Sequence, residues 1–450
     1  MYLLSSQEER QRNNECSKRS WDFFRWCLLD LSFFRFFIVG FFTVGIINIF
    51  YFMSTLFNSI FCMVFKISWK DFLFEYSYCI IFRFFVLLRM TLKYILSFLF
   101  IALVFAIGWY CFKKWKVLDR PGADLKWVRW PVPTLMGIFA YLSFILVVLV
   151  LFPETFSNKV FLWLILWVLP IILVELIEEL GYMGRVKSRV PQIVRLLAHI
   201  WWAILAVYIW NIWVWQEFVY GDFVWKIPQW IFVIFFVIWS MLCINAINWI
   251  DGINGQASGV SAIWFLTIFL LIKFVVMRVY TTFTNRDMLV LVSNLSLILF
   301  FVSLISTIIE FKPFGLLRDV GIMFFGFALA YLSVVWWAKI GTLVVALSLV
   351  IFDAIWVWLY RIFVLKKNPM KWDYTHIHHR LMWLGRSRWE VRAFVRIRSL
   401  VMMILMLMQS GNRLNKLIIF VMMALIFFGV NAYIFLVKKK PCGLQGLKKD

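Results

Sequence analysis

The residues able to do chemistry gather in a few short words of this chain. The densest is Asn245-Ala-Ile-Asn248-Trp-Ile-Asp251-Gly252-Ile-Asn254-Gly255, which follows an apolar run beginning at Trp230. Asn245, Asn248 and Asp251 recur every third residue, so a helix continued through them sets all three along one face. Gly252 and Gly255 then end that helix, because glycine enters left-handed turns at little cost. An ionisable group at the mouth of a membrane helix is expensive and points to function; a simple helix cap needs one such residue, not three. A second word, Glu175-Leu-Ile-Glu178-Glu179, puts adjacent carboxylates at the end of another apolar run. They repel, and therefore call for a cation, a shared proton or full solvation. In Arg318-Asp319-Val-Gly321 the carboxylate serves either as a helix cap or as a ligand. In His376-Ile-His378-His379-Arg380-Leu381, three of the four histidines of the chain fall beside Asp373, Arg361 and Arg380. That grouping reads as anion binding or metal ligation, with zinc disfavoured because neither a cysteine nor a second histidine pair is nearby in sequence. Asp119-Arg-Pro121, followed by Pro131-Val-Pro133, reads equally as a proline-stiffened turn and as part of a site.

The elements that must position these words are membrane helices. Of 450 residues 64% are hydrophobic and 15% charged, with 50 Phe and 26 Trp, a composition far from that of a soluble domain. The fold class expected is all-α, a polytopic transmembrane bundle. The net charge of +23 does not imply nucleic acid, since the Lys and Arg sit in short loops between apolar runs and form no separate basic domain. Seven scattered cysteines without a C-x-x-C indicate neither a disulfide framework nor a zinc site. The first 20 residues are polar and carry no signal-peptide core.

Three regions are expected: an extension over 1–93, a membrane domain over 94–437 and a basic tail over 438–450. In the extension, Leu31 to Leu56 is long enough to cross a bilayer at about 1.5 Å per residue. Phe57 to Lys93 mixes charge into apolar sequence and reads as interfacial. Eleven core spans follow: Tyr94 to Phe112, Val132 to Phe152, Val160 to Leu180, Ile193 to Trp213, Trp230 to Ile247, Ala257 to Met277, Leu289 to Ile309, Gly315 to Val335, Gly341 to Phe363, Ile397 to Gln409 and Leu417 to Val437. Cations crowd the loops after odd-numbered spans, among them Lys113, Lys114, Arg185, Lys366 and Arg386. The opposite loops hold few, such as Lys159 and Arg413, so the positive-inside rule puts the odd side, and the motif words with it, in the cytoplasm.

These words resemble a known family. Asn245-Ala-x-Asn248-x-x-Asp251-Gly252, Phe311-x-Pro313 with Asp319-x-Gly321 and Gly326, His376-x-His378-His379-Arg380-Leu381, and Asp119-x-Pro121 occur in the order seen in the polyprenyl-phosphate N-acetylhexosamine-1-phosphate transferases. That family also contains phospho-MurNAc-pentapeptide translocase, and the histidine word is closer to the GlcNAc-1-phosphate branch. The chain departs from the pattern in carrying Glu178-Glu179, ahead of Arg195-Leu-Leu, in place of paired aspartates, Arg318 in place of a glycine, and Asn254 in place of a second aspartate.

The resemblance implies an enzyme that moves a sugar-1-phosphate, of N-acetylhexosamine type, from a UDP-sugar to undecaprenyl or another polyprenyl phosphate, releasing UMP and initiating cell-envelope glycan synthesis. It implies Mg2+, with Mn2+ as a substitute, held by Asp319 and Asp251, since magnesium takes one or two carboxylates plus phosphate and water oxygens. Asp251, Asp319, Glu178 and Glu179 are the expected catalytic residues. Asn245, Asn248, Asp119, Arg361, His376, His378 and His379 are expected to bind substrate. The partners implied are the lipid phosphate, the UDP-sugar and the bacterial plasma membrane, with room for a homodimer and no nucleic acid. Two rival readings stay open: a catalytically weakened homologue that binds the lipid phosphate as a scaffold or regulator, motivated by the departures, and a transporter, suggested by span number.

Overall fold

The computed structural model describes residues 77–119, 131–186, 190–210, 217–220, 223–226, 228–276, 286–311, 314–335, 342, 344–345, 347–366, 375–409 and 413–437. The expected span Leu31 to Leu56, the stretch 57–76 and the tail 438–450 lie outside the described residues, as do the loop residues Arg120, Pro121, Lys312, Pro313 and Asp373. The chain divides into two compact units, Met1–Lys93 with Met382–Arg386, and Tyr94–Leu381 with Ser387–Asp450. Among the described residues, the first unit holds helix from Ser77 and a turn at Gly385.

The described residues form thirteen α-helices: α1 (Ser77–Lys114), α2 (Gly137–Leu151), α3 (Pro153–Phe156), α4 (Lys159–Tyr182), α5 (Gln192–Trp210), α6 (Gln229–Trp249), α7 (Gln256–Leu270), α8 (Arg286–Phe311), α9 (Arg318–Val335), α10 (Ser348–Leu359), α11 (Ile377–Trp383), α12 (Arg388–Met408) and α13 (Arg413–Val437). π-helical turns extend α7 through Leu271–Val276 and α10 through Tyr360–Val364. Two small antiparallel ribbons interrupt them, β1 (Leu118–Asp119) with β2 (Val132–Pro133) and β3 (Glu217–Tyr220) with β4 (Phe223–Lys226). Seven stretches among the described residues are long and apolar enough to cross a membrane: Leu92–Lys114, Lys159–Tyr182, Trp230–Trp249, Gln256–Phe274, Arg286–Phe311, Arg318–Val335 and Leu414–Ala432. This is an all-α polytopic membrane bundle, and the chain is an integral membrane protein.

α9 forms its centre. It packs against α2, α4, α6 and α7, and buries nearly every side chain, including Phe324, Phe325 and Tyr331. Small residues allow that density, as in other membrane bundles. A Cβ on Gly326 would stand 2.6 Å from Ile244 Cα of α6, and one on Gly137 of α2 only 2.2 Å from Gly321 N. Some polar side chains inside the bundle bond across helices: Trp239 donates to Ser333 Oγ at 2.7 Å and Tyr331 to the Val160 carbonyl at 2.9 Å. Each such bond matters more than in water, because no solvent replaces it.

Several boundaries differ from those expected. The second span begins at Gly137 rather than Val132, because Val132 and Pro133 pair with β1 and Leu135 takes φ +63°. The eighth begins at Arg318 rather than Gly315. Residues 315–317 lie outside the helix, with Leu316 N donating to the Pro133 carbonyl at 2.9 Å while Met136 N donates to the Leu316 carbonyl at 2.9 Å. The tenth is longer at its start: a full capping box between Ser387 and Glu390 begins α12 nine residues before Ile397. Of the ninth, Ser348–Leu359 and its π turn are regular helix.

Candidate active site

α9 starts late because its first residue has an unusual backbone. Arg318 takes φ +60°, the left-handed region that a side chain disfavours by roughly 1–2 kcal/mol. Its guanidinium offsets the cost by donating to Asp119 Oδ2 at 2.5 Å and Thr134 Oγ1 at 3.3 Å, and by lying 5.6 Å from the Tyr182 ring. Asp119, expected to bind substrate, is thus half of a buried ion pair.

Asp319 follows, and α5 and α6 both reach it. Arg195 donates to Asp319 Oδ2 at 2.8 Å, and Asn248 Nδ2 to Oδ1 at 3.1 Å. The same arginine grips Glu175 with Nε at 3.0 Å and with a second, shorter bond; Glu175 Oε1 also faces His199 Nε2 at 3.1 Å. Glu175 is fully buried, whereas the Asp319 side chain keeps 30% of its surface open. Each Asp319 oxygen retains a lone pair after accepting one donor.

The glutamate pair closes the end of α4. Glu178 accepts from Val190 N at 2.7 Å and so ties down the chain entering α5, while Glu179 is equally buried beside it. In α6, Asn245 spends its amide on the Met241 carbonyl at 2.7 Å. The expected single face of Asn245, Asn248 and Asp251 is corrected here, because α6 ends at Trp249. Asp251 sits in the turn beyond, its N–H donating to the Asn248 carbonyl at 3.1 Å. The glycines act sooner than spacing implies, and Asp251 is buried within their loop.

The histidine word forms the short helix α11. His376 stacks on Trp249 with ring centroids 5.9 Å apart, and His378 packs on Gly252, where a Cβ would come within 2.0 Å of Nε2. Glycine at 252 is therefore required by the close approach of the imidazole. Asp353 of α10 holds α11 in place. Its Oδ2 lies 3.0 Å from His376 Nδ1, and its Oδ1 accepts from Ile377 N at 2.9 Å and from Arg380 at 2.8 Å. Arg380 also donates to Asn431 of α13. The His378 ring nitrogens are buried without hydrogen-bond partners, and burial, then the neighbouring His379, His376 and Arg380, hold its pKa well below the usual histidine value. Arg361 is buried with Nε 3.3 Å from Thr375 Oγ1.

Direct contacts therefore link four of the five words, Asp119 to Arg318, Asp319 to Asn248, Trp249 to His376, and Gly252 to His378, and Arg195 joins Glu175 of the fifth to Asp319. Arg195, His199, Asp353 and Asn431 were not expected as part of this arrangement. A sequence signal existed for Asp353, the lone carboxylate in the apolar run Ser348–Leu359, because an ionisable residue there needs a partner. Among the described residues, no group of three or more His, Cys, Asp or Glu side chains is arranged to hold a metal ion.

Comparison with known proteins bears on the inner part of this arrangement. Residues 161–337 match the model of glycosyl transferase family 4. A curated protein of Bacillus subtilis (strain 168), "Probable undecaprenyl-phosphate N-acetylglucosaminyl 1-phosphate transferase", is 33% identical over 159 residues, which are 34% of this chain. The match spans 40% of that relative's length. The family match takes in Glu178, Glu179, Asn245, Asn248, Asp251 and Asp319, while Asp119, Arg361 and the histidine word lie beyond it. Over residues 161–337 the chain is thus similar to glycosyl transferase family 4, and it spans less than half of the length of the curated relative it matches.

Proposed function

We propose that this chain transfers a sugar-1-phosphate, of the N-acetylhexosamine type, from a UDP-sugar to polyprenyl phosphate at the cytoplasmic membrane face. A lipid phosphate oxygen forms a bond to the sugar-bearing phosphorus, the bond from that phosphorus to the bridging oxygen breaks, and UMP leaves with that oxygen. The single observation that carries this reading is the open Asp319 carboxylate, oriented by Asn248 and Arg195 beside a loop that packs on the histidine helix. The name of the B. subtilis relative supports the same lipid and sugar class.

Anionic phosphates must approach one another in this reaction, so positive charge and donors are required. Asp319 fits Mg2+, or Mn2+, because it is a hard oxygen donor with a free lone pair on each oxygen and a partly open surface. Asp251 is the second carboxylate for that role. When bound, the ion neutralises pyrophosphate charge. Arg361, His376, His378 and His379 supply donors for phosphate oxygens, Asn245 and Asn248 serve the uridine or sugar side, and Glu178 or Glu179 takes the lipid phosphate proton. The cation-rich odd loops support the cytoplasmic placement.

A second reading rests on the cations already seated on the acids: Arg195 on Asp319 and Arg318 on Asp119. In it the protein binds polyprenyl phosphate without turnover, as a scaffold or regulator. Purified protein incubated with undecaprenyl phosphate, Mg2+ and a panel of UDP-sugars separates the two. UMP and a lipid-linked sugar with at least one donor are expected; lipid retention without UMP from any donor overturns the enzyme in favour of the binding protein.

A further inference from the structure

α12 carries charge where a membrane helix normally carries apolar side chains. Its buried face is Val391, Val395, Ser399, Met402, Met403 and Met406, and Arg388, Arg392 and Arg396 continue that face at spacing four toward its N-terminus. Arg392 and Arg396 are directed into the bundle rather than away from it. Arg396 lies across the first turn of α7: it donates to the Gly255 carbonyl, and a Cβ on Gly259 would stand 2.6 Å from its Nε. Arg392 lies 4.6 Å from the Phe311 ring, and Arg396 6.0 Å from it.

Charge is unbalanced here. The carboxylate felt by Arg392 and Arg396 is that of Glu310, which already accepts from Ser258 at 2.8 Å and from Leu317 N at 3.0 Å. Arg392 Nε and Arg396 Nε are buried without hydrogen-bond partners. A guanidinium at the N-terminus of α7 also opposes the positive end of that helix, which favours anions. Two independent features, buried donors and adverse helix polarity, thus both favour an anion at this seam.

The rim says where it comes from. Trp389 is 61% exposed and packs edge-on to the half-open Phe311 at 5.9 Å, and below it Phe394, Ile397, Val401, Ile404 and Met408 form the exposed stripe of α12. An aromatic pair above an apolar stripe suits acyl chains, and basic pockets between membrane helices suit anionic headgroups. We infer that Arg388, Arg392 and Arg396 form a binding site for the phosphate of an anionic phospholipid, whose chains run down the exposed face of α12. This site uses none of the residues assigned to the transfer reaction and does not depend on that reaction.

Native mass spectrometry of the full-length protein with phosphatidylglycerol or phosphatidylcholine tests this. Wild type is expected to retain phosphatidylglycerol preferentially, and Arg392→Gln/Arg396→Gln to retain it about tenfold less or weaker still. Arg392→Lys/Arg396→Lys should keep most of the binding, and Arg413→Gln, at the start of α13, should leave it unchanged. Equal retention of both lipids by wild type, or undiminished retention by the glutamine variant, overturns the site. Displacement of phosphatidylglycerol by millimolar inorganic phosphate or UMP assigns the seam to a soluble phosphate and overturns the lipid. If the glutamine variant does not fold, wild type decides alone: a higher Tm in phosphatidylglycerol than in phosphatidylcholine vesicles supports the site, and equal Tm values reject it.

Discussion

Two aspartates, Asp319 on α9 and Asp353 on α10, meet the same kinds of partner and are put to different use. Each accepts from an arginine at 2.8 Å and from at least one further donor. The Asp353 side chain is 1% exposed, and every partner named for it lies in α11 or, as His376, just before it; the Asp319 side chain is 30% exposed, and its partners come from α5 and α6. One carboxylate is sealed and fixes a helix, while the other is oriented and left open. Exposure of the oriented oxygen, more than the number of partners, sets Asp319 apart from Asp353 and is what the proposed function uses.

The sharpest way to break that contrast is Asp319→Asn. The amide keeps the shape but cannot neutralise an ion or an arginine, so transfer should fall by at least about a hundredfold while the thermal unfolding curve stays close to wild type. Wild-type turnover would remove Asp319 from the site. Asp353→Asn should behave the opposite way. Leaving His376 and Arg380 without their buried carboxylate costs on the order of 3–5 kcal/mol, so the variant should unfold earlier, and activity should fall with the loss of folded protein. Full stability there would show that α11 is held by other contacts.

A smaller effect is expected at the junction between the two classes. Arg318→Gly relieves the left-handed strain of roughly 1–2 kcal/mol but removes the guanidinium paired with buried Asp119, so alone it should destabilise. Adding Asp119→Asn should recover most of the loss. Thermal melts of the four-member cycle measure the coupling, and strict additivity would deny the pair any role.

The smallest effect is one of pH. His378 has a folded pKa well below its unfolded value, so the unfolded chain binds a proton that the folded one refuses. Its contribution is unpenalised above the unfolded pKa of about 6.5 and declines as pH falls below it. Resistance to unfolding should therefore drop between neutral and mildly acid pH, and His378→Asn should flatten that drop. An unchanged slope in the variant would assign the acid sensitivity elsewhere.

Much of this was legible from one sequence. The polar words could be read because each breaks an apolar run, and the helical class because hydrophobic stretches of the right length recur. What could not be read were the long-range meetings. Arg195 reaches Asp319 over 124 positions, and neither residue's neighbours carry a trace of the other. Asp353 lies in an apolar helix with no motif around it, so only its partners at His376 and on α11 explain it. Asp251 was assigned to a helix face because periodicity continues through Trp249, whereas the backbone turns there and periodicity does not report the turn. Arg318 looked like a departure from a glycine; its φ of +60° gives the reason glycine is usual, and Asp119 the reason arginine is tolerated.

The backbone bonds joining Pro133, Met136 and Gly137 to residues 316 and 317 have a mechanical consequence. The strand before α2 and the entry to α9 are one lever, with Asp319 just past its fulcrum and the Gly137–Gly321 contact as its pin. Pulling on the first loop cannot leave Asp319 behind. In amide-exchange experiments Met136, Gly137 and Leu316 should open together, at a single rate, rather than as two independent loop ends.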